Sequence, residues 1–199
     1  MKQFIILLLN VLSVGLANIV SLFNPLVKKL LQLWRLTQVR SRVMNAIPNS
    51  TQLDGYVHII GTGNIKFGEH CRVGHNVILE TRGNGSITIG SNVRINQGSV
   101  LVAYDDMEIG NDCLIGEYCS IRDANHGIDK GALIRTQPHT YKTILIEDDC
   151  WVGRGAVILR GVTLRKGCVI GANSVVTKNI DEQVISVGVP SKGRSKRLG

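Results

Sequence analysis

The chain has 199 residues, of which 44% are hydrophobic, 5% aromatic and 19% charged, a composition that suits one globular domain and excludes a disordered or collagen-like chain. The formal net charge is +8, but the basic excess lies at the two ends: residues 1–53 carry six basic and no acidic residues, residues 54–182 carry 13 basic and 15 acidic residues, and residues 183–199 carry four basic residues. A nucleic-acid-binding protein concentrates its basic residues on the fold itself, so nucleic acid is not an expected partner.

The first 50 residues are predicted to form an apolar and basic helical segment. Phe4–Phe23 is an apolar run of 20 residues that is interrupted by four polar residues and is long enough to span a bilayer. Polar residues nevertheless recur every three to five positions, at 10, 13, 18, 21, 24, 28, 32 and 35. Such a narrow polar stripe favours helices that lie in the membrane interface, so residues 1–46 are predicted to attach the protein peripherally to a membrane.

Pro25 is expected to divide this segment into two helices, the second running from Leu26 to about Met44 with five basic residues on its polar side and Trp34 towards its apolar side. Three alternatives stay open. In the first, the helices pack on each other or on the folded body. In the second, a single span crosses the membrane with its basic end inside. The third alternative is a secretory signal, because Lys2 precedes the run and Gly15-Leu16-Ala17 has the small residues of a cleavage site.

An apolar residue recurs every six positions through most of the remaining chain, and a fixed period of this kind decides the fold. A unit of six residues cannot bury its apolar side alone, so the units must stack into a solenoid with one short strand and one turn per unit. Three units form a coil of 18 residues, as between Ile146 and Leu164. The fifteen repeating apolar positions are Phe67, Val73, Leu79, Ile89, Ile95, Leu101, Ile109, Ile115, Ile121, Ile146, Val152, Ile158, Leu164, Ile170 and Val176.

The five cysteines occupy the same place in this period, four positions after the repeating apolar residue; they are Cys71, Cys113, Cys119, Cys150 and Cys168. Each is therefore interpreted as a small buried side chain that fills a tight coil. An odd number of cysteines without a CxxC motif also argues against a disulfide framework or a zinc ribbon. These observations favour a reducing compartment.

Three insertions of 4, 2 and 19 residues interrupt the coils after Leu79, Leu101 and Ile121. Each follows the third unit of its coil, so all three are predicted to leave the same corner of a prism. Loops on a rigid scaffold usually carry the binding and catalytic groups, which makes this corner the candidate site. His126 is the only one of five histidines at the start of the longest loop, and imidazole is suited to act as a base near neutral pH.

The repeat and three motifs, Asp123-Ala-Asn-His126, Trp151-Val-Gly and Gly188-Val-Pro-Ser-Lys192, together resemble the hexapeptide-repeat acyltransferases over about residues 56–195. The resemblance is strongest to the maltose and galactoside and the capsule and colanic-acid O-acetyltransferases. It implies an all-β fold, a left-handed parallel β-helix, here preceded by an α-helical extension. It also implies a homotrimer with acetyl-CoA as co-substrate between neighbouring subunits, without a metal.

The predicted organisation is a helical segment at 1–50, an acetyltransferase domain at 51–187 with a loop at 123–143, and a basic tail at 188–199. The resemblance implies transfer of an acetyl group to a carbohydrate hydroxyl, on a surface polysaccharide, its lipid-linked precursor or a related sugar. His126 matches the loop histidine of the family and is predicted to be the general base for direct attack of the hydroxyl on the thioester.

Five residues are candidates for binding the acceptor: Asn96, Asp105, Asp106, Asp123 and Asn125. Asn96 matches an asparagine that contacts the acceptor near the catalytic histidine in sugar acetyltransferases, although an asparagine ladder within the solenoid is the alternative. Asp105 and Asp106 lie in the two-residue insertion, where a solvated turn is the alternative. The remaining two are predicted to orient His126, and turn formation is the competing role for both.

Six residues are candidates for binding the cofactor: Trp151, Arg154, Ala172, Thr177, Lys178 and Lys192. Trp151 is expected to point outward and to border the thiol end of the cofactor, with packing in the trimer as the competing explanation. The other five match cofactor contacts of the sugar acetyltransferases, and their basic members can pair with CoA phosphates. The motif here ends in Ser191-Lys192, whereas the family often has Ala-Lys.

The sequence is also compatible with other functions: a non-catalytic trimeric scaffold, a serine or amino-sugar N-acetyltransferase, and a γ-class carbonic anhydrase. The carbonic anhydrases bind metal through histidines, but His70 and His75 occupy different positions of successive units, so no metal site is expected. Because acetyl-CoA is a cytoplasmic metabolite, the predicted location is the cytoplasm, at the inner face of the cell membrane.

Overall fold

The computed structural model describes residues 24–197, and the chain divides into two compact units, Met1–Trp34 and Arg35–Gly199. An α-helix, α1, covers residues 24–40. It corresponds to the second predicted helix, whereas the apolar run Phe4–Phe23 and the proposed cleavage site lie outside the described residues. In the stretch from 24 to 197, no helix is both long enough and apolar enough to cross a membrane.

The helix ends earlier than the predicted end near Met44. Its last turn tightens, since the amide of Arg42 donates to the carbonyl of Val39 at 3.0 Å. The Arg40 guanidinium then donates to the carbonyl of Ile47 at 2.7 Å, which fixes the chain as it turns towards the first strand. These contacts redirect the backbone before the helical pattern of the sequence is exhausted.

Short strands are the main regular structure of the second unit, and the described residues contain 21 of them. In chain order they are β1 (Gln52–Leu53), β2 (Val57–Gly61), β3 (Ile65–Phe67), β4 (Arg72–Val73), β5 (Val77–Thr81), β6 (Ser86–Ile89), β7 (Arg94–Ile95), β8 (Val100–Ala103), β9 (Asp106–Ile109), β10 (Leu114–Ile115), β11 (Ser120–Arg122), β12 (Ala124–His126), β13 (His139–Tyr141), β14 (Ile144–Ile146), β15 (Trp151–Val152), β16 (Val157–Ile158), β17 (Thr163–Leu164), β18 (Val169–Ile170), β19 (Val175–Val176), β20 (Val184–Val187) and β21 (Lys192–Lys196). A short 3-10 helix covers Ile134–Thr136.

Three sheets form the three faces of a prism, and successive strands of the chain pass from one sheet to the next. Sheet 1 has the order β1-β4-β7-β10-β15-β18-β20-β21, sheet 2 the order β19-β16-β11-β8-β5-β2, and sheet 3 the order β17-β14-β9-β6-β3. The neighbours are parallel except for β21, which is antiparallel to β20. This arrangement is the solenoid that the six-residue period predicts.

The repeating apolar residues stack inside the prism in register from coil to coil. In sheet 1, for example, Ile95 pairs with Ile115, which pairs with Val152. All three are at most 1% exposed, while the residues that precede them face outward. Alternation within a strand separates the two sides of each sheet, so every coil buries its apolar residues against the coils above and below. Leu36 and Val39 of α1 belong to the same buried cluster.

Glycine recurs after the inward residue because successive coils pass too close for a side chain. A Cβ at Gly116 would lie 2.6 Å from the backbone nitrogen of Arg154 in the next coil. The same row, at the corner between sheets 1 and 2, contains Gly74, Gly153 and Gly171, whereas Asp54 and Asn96 carry side chains there. The tight stacking therefore explains the repeated glycine, and Asn96 departs from it between Gly74 and Gly116.

Candidate functional site

Three loops leave the edge between sheets 2 and 3, which we call the loop corner. They are residues 82–85, 104–105 and 123–143, and each joins a strand of sheet 2 to the following strand of sheet 3. The prediction that the insertions stack at one corner is confirmed by this strand order.

The longest loop begins at a buried carboxylate. Asp123 is 0% exposed. Its Oδ2 accepts hydrogen bonds from the backbone amides of Tyr104 at 2.9 Å and Asp105 at 2.7 Å, in the loop one coil below. Burial raises the pKa of the Asp123 carboxyl, and the hydrogen bonds from the two amides act in the opposite direction. Asp123 thus connects the start of the long loop to the loop of the preceding coil.

The loop then rises as an antiparallel hairpin of β12 and β13, in which His126 is paired with His139. The two imidazole ring centroids lie 4.4 Å apart with an angle of 43° between the ring planes. His139 stacks in turn on Tyr104, with a centroid distance of 4.7 Å and an angle of 27°. His126 is exposed at the outer end of this column, whereas His139 and Tyr104 are half-buried.

A cleft of about 600 Å³ opens beside the column. Its lining combines imidazole, phenol, carboxylate, guanidinium and amide groups with aliphatic side chains: Glu80, Val102, Tyr104, Arg122, Ala124, Asn125, His126, Ile128 and His139. Glu80 is held by Arg82, whose Nε lies 2.6 Å from the Glu80 carboxylate. The cleft therefore offers a histidine together with hydrogen-bonding groups of both kinds.

The two predicted acceptor aspartates of the short insertion lie at the loop corner but do not line this cleft. The Asp105 carboxylate accepts from the Thr143 hydroxyl at 2.9 Å and the Thr143 amide at 3.1 Å, and so fixes the far end of the long loop. Asp106 accepts from the Ser86 hydroxyl at 2.7 Å. Both carboxylates have partners within the chain.

A second, basic groove of about 740 Å³ adjoins the cleft, and Asn125 lines both. Lys142, Arg160 and Lys178 border this groove, as does Thr177. With its amide oriented so that the oxygen faces Arg160, Asn125 accepts from the Arg160 Nε at 3.2 Å. Two of the predicted cofactor residues, Thr177 and Lys178, are thus brought close to the corner that carries His126.

Asn96 lies elsewhere on the prism. It is at the corner between sheets 1 and 2, in a pocket of about 370 Å³ that it shares with Asp54, His75 and Glu117. Within one chain, the structure does not bring Asn96 together with His126.

The remaining predicted cofactor residues are also distributed around the prism. Trp151 is in β15 of sheet 1 and is 53% exposed between buried neighbours, as its outward orientation predicts. Arg154 and Ala172 follow strands of sheet 1, and the Arg154 guanidinium lies 5.7 Å from the ring centroid of Tyr118. Lys192 is exposed in β21, at the end of the solenoid. One chain does not gather these residues into a single cleft.

Sequence reasoning missed four polar or aromatic residues of the cleft: Glu80, Tyr104, Arg122 and His139. Glu80 and Arg122 belong to regular strands, where outward-facing residues look alike in the sequence. Tyr104 directly precedes the two candidate aspartates, Asp105 and Asp106. His139 is separated from His126 by most of the loop, and only the hairpin brings them together.

The cysteines are buried free thiols, which confirms their interpretation as small core residues. The Sγ atoms of Cys150 and Cys168 lie 3.7 Å apart in successive coils. Among residues 24–197, no group of three or more His, Cys, Asp or Glu side chains is arranged to hold a metal ion.

Comparison with known proteins identifies relatives for both sequence and fold. The family profile described as hexapeptide repeat of succinyl-transferase matches residues 65–103 and 143–178. The putative lipopolysaccharide biosynthesis O-acetyl transferase WbbJ of Escherichia coli is 32% identical over 143 residues, which are 68% of this chain and 73% of that protein. The galactoside O-acetyltransferase of Lactococcus lactis is 32% identical over 57% of this chain and 55% of that enzyme. A probable acetyltransferase of Mycobacterium tuberculosis is 36% identical over 54% of this chain, and the match spans only 36% of the length of that protein.

Two solved structures illustrate the similarity of fold. The N-acyltransferase AntD from Bacillus cereus, in complex with dTDP and 3-hydroxybutyryl-CoA, has a TM-score of 0.67 and 20% identity, covering 76% of this chain and 82% of its own. A hexapeptide-repeat-containing acetyltransferase from Vibrio cholerae, complexed with acetyl-CoA, has a TM-score of 0.54 and 23% identity. The match covers 82% of this chain and 76% of that protein. The predicted fold class, a left-handed parallel β-helix of hexapeptide repeats with an N-terminal helix, is confirmed.

Proposed function

This chain belongs to the hexapeptide-repeat acetyltransferases, and from that premise we propose that it transfers the acetyl group of acetyl-CoA to a hydroxyl of a carbohydrate, with His126 as the general base. The observation that carries the proposal is the exposed imidazole of His126 at the mouth of a polar cleft, on a loop that the solenoid holds in place. A non-catalytic scaffold has no use for a base at that position.

The reaction requires two proton transfers, one from the hydroxyl to the base and one from the base to the leaving thiolate. A hydroxyl is a weak nucleophile, so its proton must be removed as its oxygen attacks the thioester carbonyl. The His126 imidazole accepts this proton; the new C–O bond forms, the C–S bond breaks, and the thiolate of CoA leaves with a proton from the imidazolium. The products are an acetyl ester and CoA. The reaction needs neither a metal nor a covalent enzyme intermediate.

The lining of the cleft supports a carbohydrate acceptor. Glu80 offers oxygen acceptors, Arg122 offers donors and Asn125 offers both, while Tyr104 and Ile128 contribute apolar surface. Sugars match this lining, because their hydroxyl groups form hydrogen bonds and their C–H faces contact apolar surface. Two relatives carry names that refer to lipopolysaccharide biosynthesis and to galactoside O-acetylation, and we extend this class of acceptor to the present chain.

The basic groove next to the cleft is the proposed binding surface for the phosphates of CoA, through Lys142, Arg160 and Lys178. Trp151 lies on sheet 1, the face of the prism opposite the loop corner. Because Trp151 and His126 lie on different sides of one prism, we place a single acetyl-CoA between neighbouring chains, beside Trp151 of one and His126 of the other. This separation supports a homotrimer with the cofactor between subunits, and it allows Asn96 of one chain to approach His126 of another.

Residues 24–34 are proposed to contact the inner face of the cell membrane from the cytoplasm, where acetyl-CoA is available. At about 100° per residue, the apolar side chains of this helical stretch fall in one sector: Leu26, Val27, Leu30, Leu31, Leu33 and Trp34, each between 44% and 58% exposed. Lys28 and Lys29 lie outside that sector, where they can meet anionic headgroups. Flotation with anionic vesicles tests this contact. A variant with Lys28→Glu and Lys29→Glu is expected to float less than the native protein, and equal flotation contradicts the contact.

The proposed activity is tested with purified full-length protein, acetyl-CoA and a panel of oligosaccharides and lipid-linked glycans, analysed by mass spectrometry. The expected product is an acetylated glycan whose acetyl group is removed by mild alkali, as an ester is. An alkali-stable acetamide would instead identify an N-acetyltransferase. Binding of acetyl-CoA without any acetylated product across the panel would support a scaffold and overturn the proposal.

A further inference from the structure

The stacked rings at the loop corner form a continuous column from the solenoid to His126. Tyr104 belongs to the coil below the long loop, His139 lies on Tyr104, and His126 lies against His139. The backbone amide of Tyr104 is bound by the buried Asp123 carboxylate at 2.9 Å. The base of the column is therefore fixed to the rigid part of the molecule, while its outer ring is the exposed imidazole.

A catalytic imidazole must present one ring nitrogen to the reacting hydroxyl, and enzymes commonly orient it through a carboxylate on the other nitrogen. Two carboxylates lie three residues from His126 in the sequence: that of Asp123 is buried and already accepts the amides of Tyr104 and Asp105, and that of Asp129 forms no hydrogen bond to the His126 ring in the part of the chain that the structure describes. No hydrogen bond to the His126 ring occurs among the described residues. Within one chain, its ring contact with His139 is the interaction that remains to set its orientation.

We infer that His139 is a positioning residue, which acts with Tyr104 to hold the His126 imidazole in its reactive orientation through ring contact rather than through a hydrogen bond. This inference rests on the proposed function, because it assigns His126 the role of base. The antiparallel pairing of β12 with β13 places the two histidines opposite each other, and neighbouring side chains across such a pair are close enough to restrict each other's rotation. An aromatic ring is required at position 139, but not its nitrogens.

The test compares His139→Ala with His139→Phe, and uses Thr140→Ala in the same strand as a control. Misplacement of a catalytic group by about 1 Å costs roughly 100-fold in rate. We expect His139→Ala to lower kcat by about 10- to 100-fold with the KM for acetyl-CoA nearly unchanged. We expect His139→Phe to stay within about threefold of the native kcat, because its ring restores the contact.

Each variant is also made in a His126→Ala background. If His139 acts through His126, then His139→Ala has no further effect once the base is gone, since coupled residues are not additive. An equal further loss in that background would indicate general damage to the corner and overturn the inference. A His139→Phe variant as slow as His139→Ala would show that an imidazole nitrogen is required, and a fully active His139→Ala variant would show that the contact is unimportant. Either result also overturns the inference.

Failure of the proposed function is recognised separately, in the native protein and the single His126→Ala variant. A readout independent of turnover is the NMR spectrum of the five histidine rings, in which the His126 signals are identified by their loss in His126→Ala. Ring contact predicts that these signals shift in His139→Ala and stay close to their native positions in His139→Phe. Unshifted signals in His139→Ala contradict the contact whatever the enzyme activity.

Discussion

Asp123 and Tyr104 lie one coil apart, and both carboxylate oxygens of Asp123 are 2.9 Å from the backbone nitrogen of Tyr104. The contact fixes the start of the long loop to the loop below it. The amide of Lys142 donates to the Asp123 carbonyl at 2.9 Å, so the same residue also closes the base of the hairpin. One buried residue thus supports both the hairpin of His126 and the ring on which His139 rests.

Replacement of Asp123 by Ala is predicted to destabilise the protein and to lower turnover. The amides of Tyr104 and Asp105 lose their acceptor, and each unsatisfied buried group costs about 1–3 kcal/mol. The free energy of unfolding, measured in urea, is therefore expected to fall by about 2–4 kcal/mol. Asp106→Ala is the matched control, since Asp106 is exposed and its removal is expected to cost no more than about 0.5 kcal/mol. Equal losses in the two variants would show that the buried contact adds no stability.

Replacement of Trp151 by Ala is predicted to weaken binding of acetyl-CoA by about tenfold, equivalent to ~1.4 kcal/mol. The indole is exposed on sheet 1 and is proposed to border the thiol end of the cofactor. Isothermal titration with acetyl-CoA measures the effect, and sedimentation checks that the oligomer is retained. Leu114→Ala serves as the control, because Leu114 pairs with Trp151 in sheet 1 and is similarly exposed. An unchanged Kd for Trp151→Ala in an intact oligomer would remove the indole from the cofactor site.

The five cysteine thiols are predicted to be unreactive in the folded protein. All five are buried and closed to the reagent, and at Cys71 and Cys119 burial also raises the pKa of the thiol, which keeps the nucleophilic thiolate scarce there. Ellman's reagent is expected to titrate less than about one thiol in native protein and all five after unfolding in guanidinium. Rapid reaction of several thiols with the native protein would mean that the coils open readily.

The solenoid and its loop corner could be predicted because they depend on a local period. The apolar residue at every sixth position indicates where the chain packs on the next coil, and so does the glycine that follows it. This relation repeats along the sequence. The place of the insertions within the period then decides which corner they leave. No long-range pairing has to be guessed for either conclusion.

The site could be predicted only in part, because it depends on contacts within an aperiodic loop. His126 was found from its position at the start of that loop, but its pairing with His139 depends on the hairpin that closes between Asp123 and Lys142. Counting the same number of residues inward from Asp123 and from Lys142 leads to His126 and His139. This symmetry is the one signal for the pairing that the sequence contains. The burial of Asp123 carries no such signal, because an aspartate at a loop start usually faces water.

The role of His126 as the base for acetyl transfer is decided by the turnover of His126→Asn with acetyl-CoA and the acceptor found in the glycan screen. An asparagine retains a polar side chain at the same place but accepts no proton at neutral pH. Acetyl-CoA binding and the oligomer are expected to persist while kcat falls by about 10²- to 10⁴-fold, the usual contribution of a positioned base. A kcat close to that of the native enzyme would contradict this role.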